Sequence, residues 1–363
     1  MKHEYSHCGP TRTEDHLSGR TIRSARLHVW CMVLALAIGP NAALAQSGGF
    51  GLSIPPFWNT FGPWDADSPS PGVLPSRFVW SELFPGKAAR SQGECGSCWA
   101  FATVGVVEYQ VQIYERRDVD LSEQWLLDCV GGGNGCNGGF QSYNFFRPGI
   151  ITDVCGNNGA VLESDLPYLG ANGTCACPYN HYYWISGWSY IGFPLQLQAS
   201  RDQLKRAIYL FGPISTSVYA GNWPFGAFTH VLNDCQPDFV NHMVVIVGWS
   251  DALGAWRIRN SWGSGWGDNG EAWVAYECSS IGFGANYVTY PTGRGVYVDF
   301  NYNGFAGPER GVFNQPFNTV QEGVNVLDPG GTLSIKTGST SAAITLAKAM
   351  TVKAFGGPVT IGR

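Results

Sequence analysis

Gln92-Gly93-Glu94-Cys95-Gly96-Ser97-Cys98-Trp99-Ala100-Phe101 sets two cysteines three residues apart, where a glycine-rich loop turns into an amphipathic stretch. Ala102, Val106, Tyr109 and Ile113 then recur at helical spacing, which predicts a helix with Cys98 in its first turn. There the helix dipole and unsatisfied N–H groups favour a thiolate over a thiol, so the stretch reads as the seat of a nucleophile. Such a nucleophile needs a base.

His242 stands 144 residues on (242 − 98 = 144), in Val240-Asn241-His242-Met243-Val244-Val245-Ile246-Val247-Gly248-Trp249. The β-branched run predicts a buried strand that holds the imidazole firmly. Eighteen residues later comes Asn260-Ser261-Trp262-Gly263-Ser264-Gly265-Trp266-Gly267. A C-G-[SA]-C-[WY] cysteine with a histidine about 130 to 150 residues downstream is the local signature of papain and the cathepsins. With these blocks the chain resembles the papain-like cysteine peptidases. The resemblance rests on four ordered stretches: Gln92 to Phe101, Cys129 to Gly139 with its Gly-Cys-Asn-Gly-Gly, the run around His242, and Asn260 to Gly270. It covers roughly Leu74 to Pro291.

Roles follow from the resemblance, residue by residue. It implies Cys98 as nucleophile and His242 as its acid/base partner in a thiolate–imidazolium pair. Gln92 and the backbone N–H of Cys98 would hold the oxyanion, Asn260 would orient the imidazole, and Trp262 would shield that bond from water. An oxyanion donor is worth about 3 to 4 kcal/mol of transition-state stabilisation, so Gln92 is expected to act on turnover more than on affinity. Taken singly, Cys98 is a structural thiol, His242 a core histidine, Asn260 a turn residue and Gln92 a solvated loop residue; only their joint order reverses those readings. Substrate would lie extended along Gly138 and Gly139, where missing side chains admit a peptide backbone, although a plain turn explains the same glycines. Phe140, Met243 and Phe283 resemble positions that line the main side-chain pocket. No histidine-bearing insertion of the exopeptidase kind is present, which favours endopeptidase activity, and His181 and His230 read as surface residues.

The resemblance further implies an α+β fold of two lobes, one helical and one barrel-like in β-strands, with the cleft between them over residues 74–291. Ser122 is placed to cap a helix carrying Trp125 and Leu126, and Ser200 with Gln203 makes a capping-box start for a helix presenting Leu204, Ile208 and Phe211. Gly212-Pro213 ends that helix, and strands begin at Ile214 to Tyr219.

Nine cysteines follow Gln46, an odd number that leaves one over. The family pattern implies Cys95 with Cys136, Cys129 with Cys175, and Cys235 with Cys278. Cys155 and Cys177 have no family counterpart and are expected to bridge each other, with Cys175 and Cys177 close enough to exchange partners. Cys98 is then outside every bridge. Such bridges stabilise by about 2 to 4 kcal/mol each and persist in an oxidising compartment.

Arg20, Arg23 and Arg26 precede an apolar run from about Leu27 to Ile38 and then Ala43-Leu44-Ala45, the layout of a signal peptide over residues 1–45. The polar first twenty residues are long for such a segment and fit a misassigned start codon. The apolar run is about half the roughly 20 residues a membrane span takes, so no span is expected after cleavage. The protein is read as secreted, cell-surface or periplasmic, and bacterial. Residues 46–73, with Pro55-Pro56-Phe57-Trp58 and Pro63-Trp64, read as an irregular N-terminal arm or short propeptide.

At 363 residues and 44% hydrophobic the chain can bury one or two cores, and with 13% charged residues, a formal net charge of −5 and no basic stripe, nucleic acid is excluded as a partner. No histidine, cysteine or carboxylate cluster has metal-ligand spacing beyond the disulfide cysteines, so neither metal nor cofactor is implied. Residues 292–363 change character. Gly331–Lys336, Ala343–Leu346, Met350–Ala354 and Val359–Ile361 alternate apolar and polar positions like a small all-β segment, and they resemble the first coils of a parallel β-helix. Such coils would dock on the peptidase part or on a cell-surface or polymer partner. Three function classes are compatible with all this: a secreted thiol endopeptidase acting on protein or peptide, a transpeptidase or ligase using the same acyl-enzyme, and an inactive surface-binding relative, which the joint presence of Gln92, Cys98, His242 and Asn260 disfavours.

Overall fold

The computed structural model describes residues 74–86, 88–130, 135–192, 198–235 and 239–362. The signal-peptide and arm expectations for 1–45 and 46–73 lie outside these residues. Residues 74–363 fall within one compact unit.

Strand β1 (Arg77–Val79) runs into the one-turn helix α1 (Trp80–Leu83), and α2 (Cys98–Glu115) follows with Cys98 as its first residue. The amphipathic character expected of α2 is overturned. Fifteen of its residues are buried, Gln110 and Glu115 included, because the helix lies against β-structure on several sides. Its polar side chains are matched: Gln110 Nε2 donates to the Phe211 carbonyl at 2.7 Å, and Glu108 accepts from the Leu121 N–H at 2.9 Å. Helix α3 (Glu123–Cys129) is capped by Ser122, whose hydroxyl accepts from Trp125 N–H.

After β2 (Gly187–Tyr190), α4 (Arg201–Phe211) opens with the full Ser200–Gln203 capping box and stops at Gly212. The strands follow as β3 (Ile214–Val218), β4 (Val231–Leu232), β5 (His242–Ser250), β6 (Ala255–Arg259), β7 (Glu271–Ala275) and β8 (Phe283–Thr289). They form one sheet in the order β2-β8-β3-β5-β6-β7-β4, with β1 pairing antiparallel to the far end of β5 at Gly248, Trp249 and Ser250. All nine residues of β5 are buried, which explains why its sequence is a continuous apolar run rather than an alternation. The helix α2 packs on β5 and β3.

The last 70 residues are not a separate appendage. Strand β9 (Gly295–Val298), helix α5 (Val320–Val326), β10 (Thr332–Thr340) and β11 (Thr351–Ile361) give a three-stranded parallel sheet in the order β11-β10-β9. Helix α5 starts with a second capping box, Thr319 and Glu322. Its apolar side covers Val296, Val298, Leu333 and Ile335. Two strand expectations change here. Ala343–Leu346 is not a strand, because no neighbouring strand offers it a ladder, while Met350–Ala354 and Val359–Ile361 fuse into one long strand through Gly356 and Gly357. Burial fades outward along the sheet: Leu333 is 0% exposed and its partner on the edge strand, Val352, is 47% exposed.

This sheet is fastened to the end of α2. Arg116 ends that helix in the left-handed region at φ 55°, which leaves the last carbonyls without helical donors. The Tyr297 hydroxyl donates to the Ile113 carbonyl at 2.5 Å, Thr332 Oγ1 to Glu115 at 3.3 Å and Lys353 Nζ to Arg116 at 2.9 Å. Phe355 stacks on Phe84 with ring centroids 5.8 Å apart, and the Arg116 guanidinium sits 4.7 Å from the Phe355 ring.

Candidate active site

The loop before α2 is pinned from two sides. Cys95 is bridged to Cys136, and the Gly96 N–H donates to the Cys136 carbonyl at 2.9 Å. A Cβ on Gly96 would stand 2.5 Å from that carbonyl oxygen, so only glycine permits the approach. Gly139 is held likewise: its Cβ position lies 2.6 Å from the Trp99 ring, a structural reason for a glycine that the sequence offered as a substrate contact. Gly138 is in the left-handed region at φ 96°.

Cys98 is 0% exposed and belongs to none of the four disulfides among the described residues, which are Cys95–Cys136, Cys129–Cys175, Cys155–Cys177 and Cys235–Cys278. Beside it, the buried Gln92 is fixed in orientation. Its Oε1 accepts from the Ser261 hydroxyl at 2.6 Å, and its Nε2 donates to the Cys95 carbonyl at 2.8 Å. The amide oxygen and nitrogen are thus distinguishable by their partners, and Nε2 faces the Cys95–Cys98 loop.

His242 Nε2 lies 2.7 Å from Asn260 Oδ1. The same Oδ1 accepts from the Ser261 backbone N–H at 2.8 Å, so it is the oxygen of the amide, and the His242 nitrogen facing it must be the donor. In the neutral ring the proton then sits on Nε2 and the basic lone pair on Nδ1. Trp262 covers this pair with its ring centroid 4.9 Å from that of His242 and a tilt of 33°. Trp223 and Trp266 close around Trp262 at 6.0 and 5.5 Å.

Three contributors escape a sequence reading. Tyr168 donates its hydroxyl to the Gln92 carbonyl at 2.9 Å and lies 2.6 Å from Ser97 Oγ, yet it comes from a loop with no motif around it. Burial pushes its phenol up. Trp223 likewise stands in an unremarkable loop. Ser261, which holds both Gln92 and Asn260, could have been found from its place inside the Asn260–Gly267 block.

The pocket expectations divide. Phe140 is 47% exposed, whereas Met243 is buried. Across the sheet Ser217 pairs with both Met243 and Phe283, which brings those two positions to one level on the two strands flanking β3. His230 is exposed, but His181 is not the surface residue expected: its buried side chain reaches Asp153 at 3.4 Å and the Gly159 carbonyl at 2.9 Å.

Behind Asn260 and Ser261 lies a cavity of about 40 Å³ bordered by Arg90, Glu108, Glu123 and Arg259. Arg90 pairs with Glu123 at 2.9 Å and with Glu163 at 2.5 Å. Loss of water around Glu108 pushes its carboxyl from the ordinary 4.5 up to about 7, and the same cause pushes Glu123 up. A raised carboxyl keeps its proton in the folded state after the unfolded chain has lost it. The associated stability is therefore complete below pH 4.5 and is lost as pH rises through about 7. At about 1.4 kcal/mol per unit, the decline from Glu108 is of the order of 3 kcal/mol. Urea midpoints at pH 5 and pH 8 should show the protein more stable in acid, and Glu108→Gln should flatten the profile. A midpoint that rises between those two values would contradict this account.

Comparisons with known proteins identify the family. A family model described as papain family cysteine protease matches residues 74–291. The viral cathepsin of Lymantria dispar multicapsid nuclear polyhedrosis virus is 31% identical over 234 residues, 64% of this chain and 63% of that protein. Cathepsin L 2 of Paramecium tetraurelia is 39% identical over 194 residues, 52% of this chain and 55% of that protein. Bromelain from Ananas comosus, solved in complex with the E64 inhibitor, superposes with a TM-score of 0.52 at 26% identity, over 60% of this chain and 100% of that one. The chain thus spans less than two thirds of the length of these curated relatives. Both are viral or eukaryotic, and nothing in them supports the bacterial source expected from the sequence. No helix among the described residues is long and apolar enough to cross a membrane.

Proposed function

The chain belongs to the papain family of cysteine proteases, and from that premise we propose that it is a secreted cysteine endopeptidase working through an acyl-enzyme on Cys98. The observation that carries the reading is the doubly held Oδ1 of Asn260, which leaves His242 Nδ1 as the basic nitrogen. Nδ1 takes the thiol proton of Cys98, and the helix N-terminus stabilises the thiolate. The sulfur attacks the scissile carbonyl carbon, an S–C bond forms, and the carbonyl electron pair moves onto oxygen. Gln92 Nε2–H and the Cys98 N–H hold that oxyanion. Collapse breaks the C–N bond, and His242 gives its proton to the departing amine. Water, deprotonated by the same nitrogen, then attacks the thioester and releases the acid.

Substrate binds extended beside Gly138 and Gly139, and Phe140, Met243 and Phe283 form an apolar pocket for one side chain. Four disulfides support an oxidising compartment and hence secretion. The three-stranded sheet at the C-terminal end reads as the start of a parallel β-solenoid.

E64, which occupies bromelain, provides the test. Incubation with E64 should give one adduct per chain at Cys98 and abolish hydrolysis of an unblocked peptide library cut at internal bonds. An unmodified Cys98, or cleavage confined to chain ends, would overturn the reading.

A further inference from the structure

The four sulfurs of Cys129, Cys155, Cys175 and Cys177 form one cluster rather than two separate bridges. Cys155 Sγ lies 3.4 Å from Cys175 Sγ, to which it is not bonded, and Cys175 Sγ lies 3.9 Å from Cys177 Sγ. The sulfurs of Cys129, Cys155 and Cys175 are all within 4.8 Å of one another. Accessibility falls in order along the cluster: Cys177 is exposed, Cys155 and Cys175 are half-buried, and Cys129 is 0% exposed.

We propose that Cys177 is a thiol-capture site from which exchange is relayed through Cys155 and Cys175 to the buried Cys129. An external thiolate of the glutathione class attacks Cys177 Sγ, because Cys177 is the most exposed residue of the four. A mixed disulfide forms on Cys177, the Cys155–Cys177 bond breaks, and its electron pair leaves on Cys155. That thiolate is already in contact with Cys175 Sγ. Its attack forms Cys155–Cys175, breaks Cys129–Cys175 and expels the Cys129 thiolate, which takes up a proton. One external thiol enters, one protein thiol emerges, and there is no net oxidation or reduction.

The exchange reaches the region of Gln92. Cys129 ends α3, and its bridge to Cys175 ties that helix to the loop carrying Tyr168, whose hydroxyl holds the Gln92 carbonyl. Opening that bridge removes one of the ties on the loop. The remaining ties are polar: Gln124 Nε2 donates to the Ala171 carbonyl at 2.9 Å, and the Gly173 N–H to Asp128 at 2.7 Å.

The test uses the full chain carrying Cys98→Ala, so that its outcome is independent of the catalytic reading. The protein is exposed to limiting glutathione, quenched in acid, denatured, blocked with N-ethylmaleimide and mapped by mass spectrometry with fragmentation. Glutathione on Cys177, N-ethylmaleimide on Cys129 and a retained Cys155 link to the Cys175 peptide are expected. N-ethylmaleimide on Cys155 with Cys129–Cys175 intact would overturn the relay, as would failure of Cys177 to react. The companion protein Cys98→Ala with Cys155→Ser and Cys177→Ser retains the inner bridge and lacks the relay. Its Cys129 thiol should appear at least tenfold more slowly, and an equal rate would mean direct attack on Cys175 and sink the proposal.

Discussion

His242→Ala is expected to lower kcat/KM for peptide hydrolysis by about 10⁶-fold, because a nucleophile and its base act as one unit and removing either removes nearly the whole effect. The loss should fall on kcat, since the imidazole is asked to move protons rather than to bind the peptide. Folding should survive the change. Asn260 Oδ1 keeps the Ser261 N–H, and the tryptophans around the ring pack on one another as well as on the histidine. A variant that retains its melting temperature within a few degrees yet keeps more than a hundredth of the wild-type rate would refute the assignment of His242 as the base. Single-turnover kinetics would separate a chemical defect from slow product release.

Removing residues 295–363 is expected to destroy cooperative folding of the peptidase part, not to release an intact enzyme. The deletion uncovers Trp80, Phe84 and the end of α2, and it withdraws the Tyr297 hydroxyl from the carbonyl of Ile113. It also removes the Asn314 amide, which donates to the Tyr209 carbonyl at 2.6 Å and so ties α4 to the same segment. A point variant makes the claim sharper. A Cβ on Gly295 would lie 1.8 Å from the Tyr114 carbonyl oxygen, a backbone atom in the last turn of α2 that cannot swing aside as a side chain would. Gly295→Ala should therefore cost about 3 kcal/mol or more, at the upper end of what overpacking does. Denaturant midpoints of the two variants decide the matter: a truncated protein that unfolds cooperatively near the wild-type midpoint, or an alanine variant within about 0.5 kcal/mol of wild type, would show that the contact is incidental.

Much of the site was legible because its chemistry is written in local order. Cys98 opens a helix, Ser122 and Ser200 cap the next two, and the run after His242 is apolar enough to be a central strand; each follows from residues within a few positions of one another. Three of the disulfide pairings were legible only through family resemblance, and Cys155–Cys177 only as the pair left over, since connectivity is a property of the folded chain. What escaped was everything supplied from a distance. Tyr168 supports Gln92 across 76 residues, and no period or motif marks a tyrosine for that task. The amphipathic pattern assigned to α2 failed for a related reason: with sheet on one side and the C-terminal strands at its end, only the narrow stripe of Gly105, Glu108 and Gln112 stays partly exposed.

The C-terminal segment marks the boundary most clearly. Its alternation of apolar and polar residues was sufficient to announce short strands, because side chains alternate across a strand whatever lies beside it. Which of those runs pair, and that they pair in parallel, depended on strands elsewhere in the segment, and closing the end of α2 depended on partners 184 to 237 residues away. Hydrogen-bond ladders and helix-end carbonyls are satisfied by groups brought near in space, and a linear sequence carries no record of who those neighbours are.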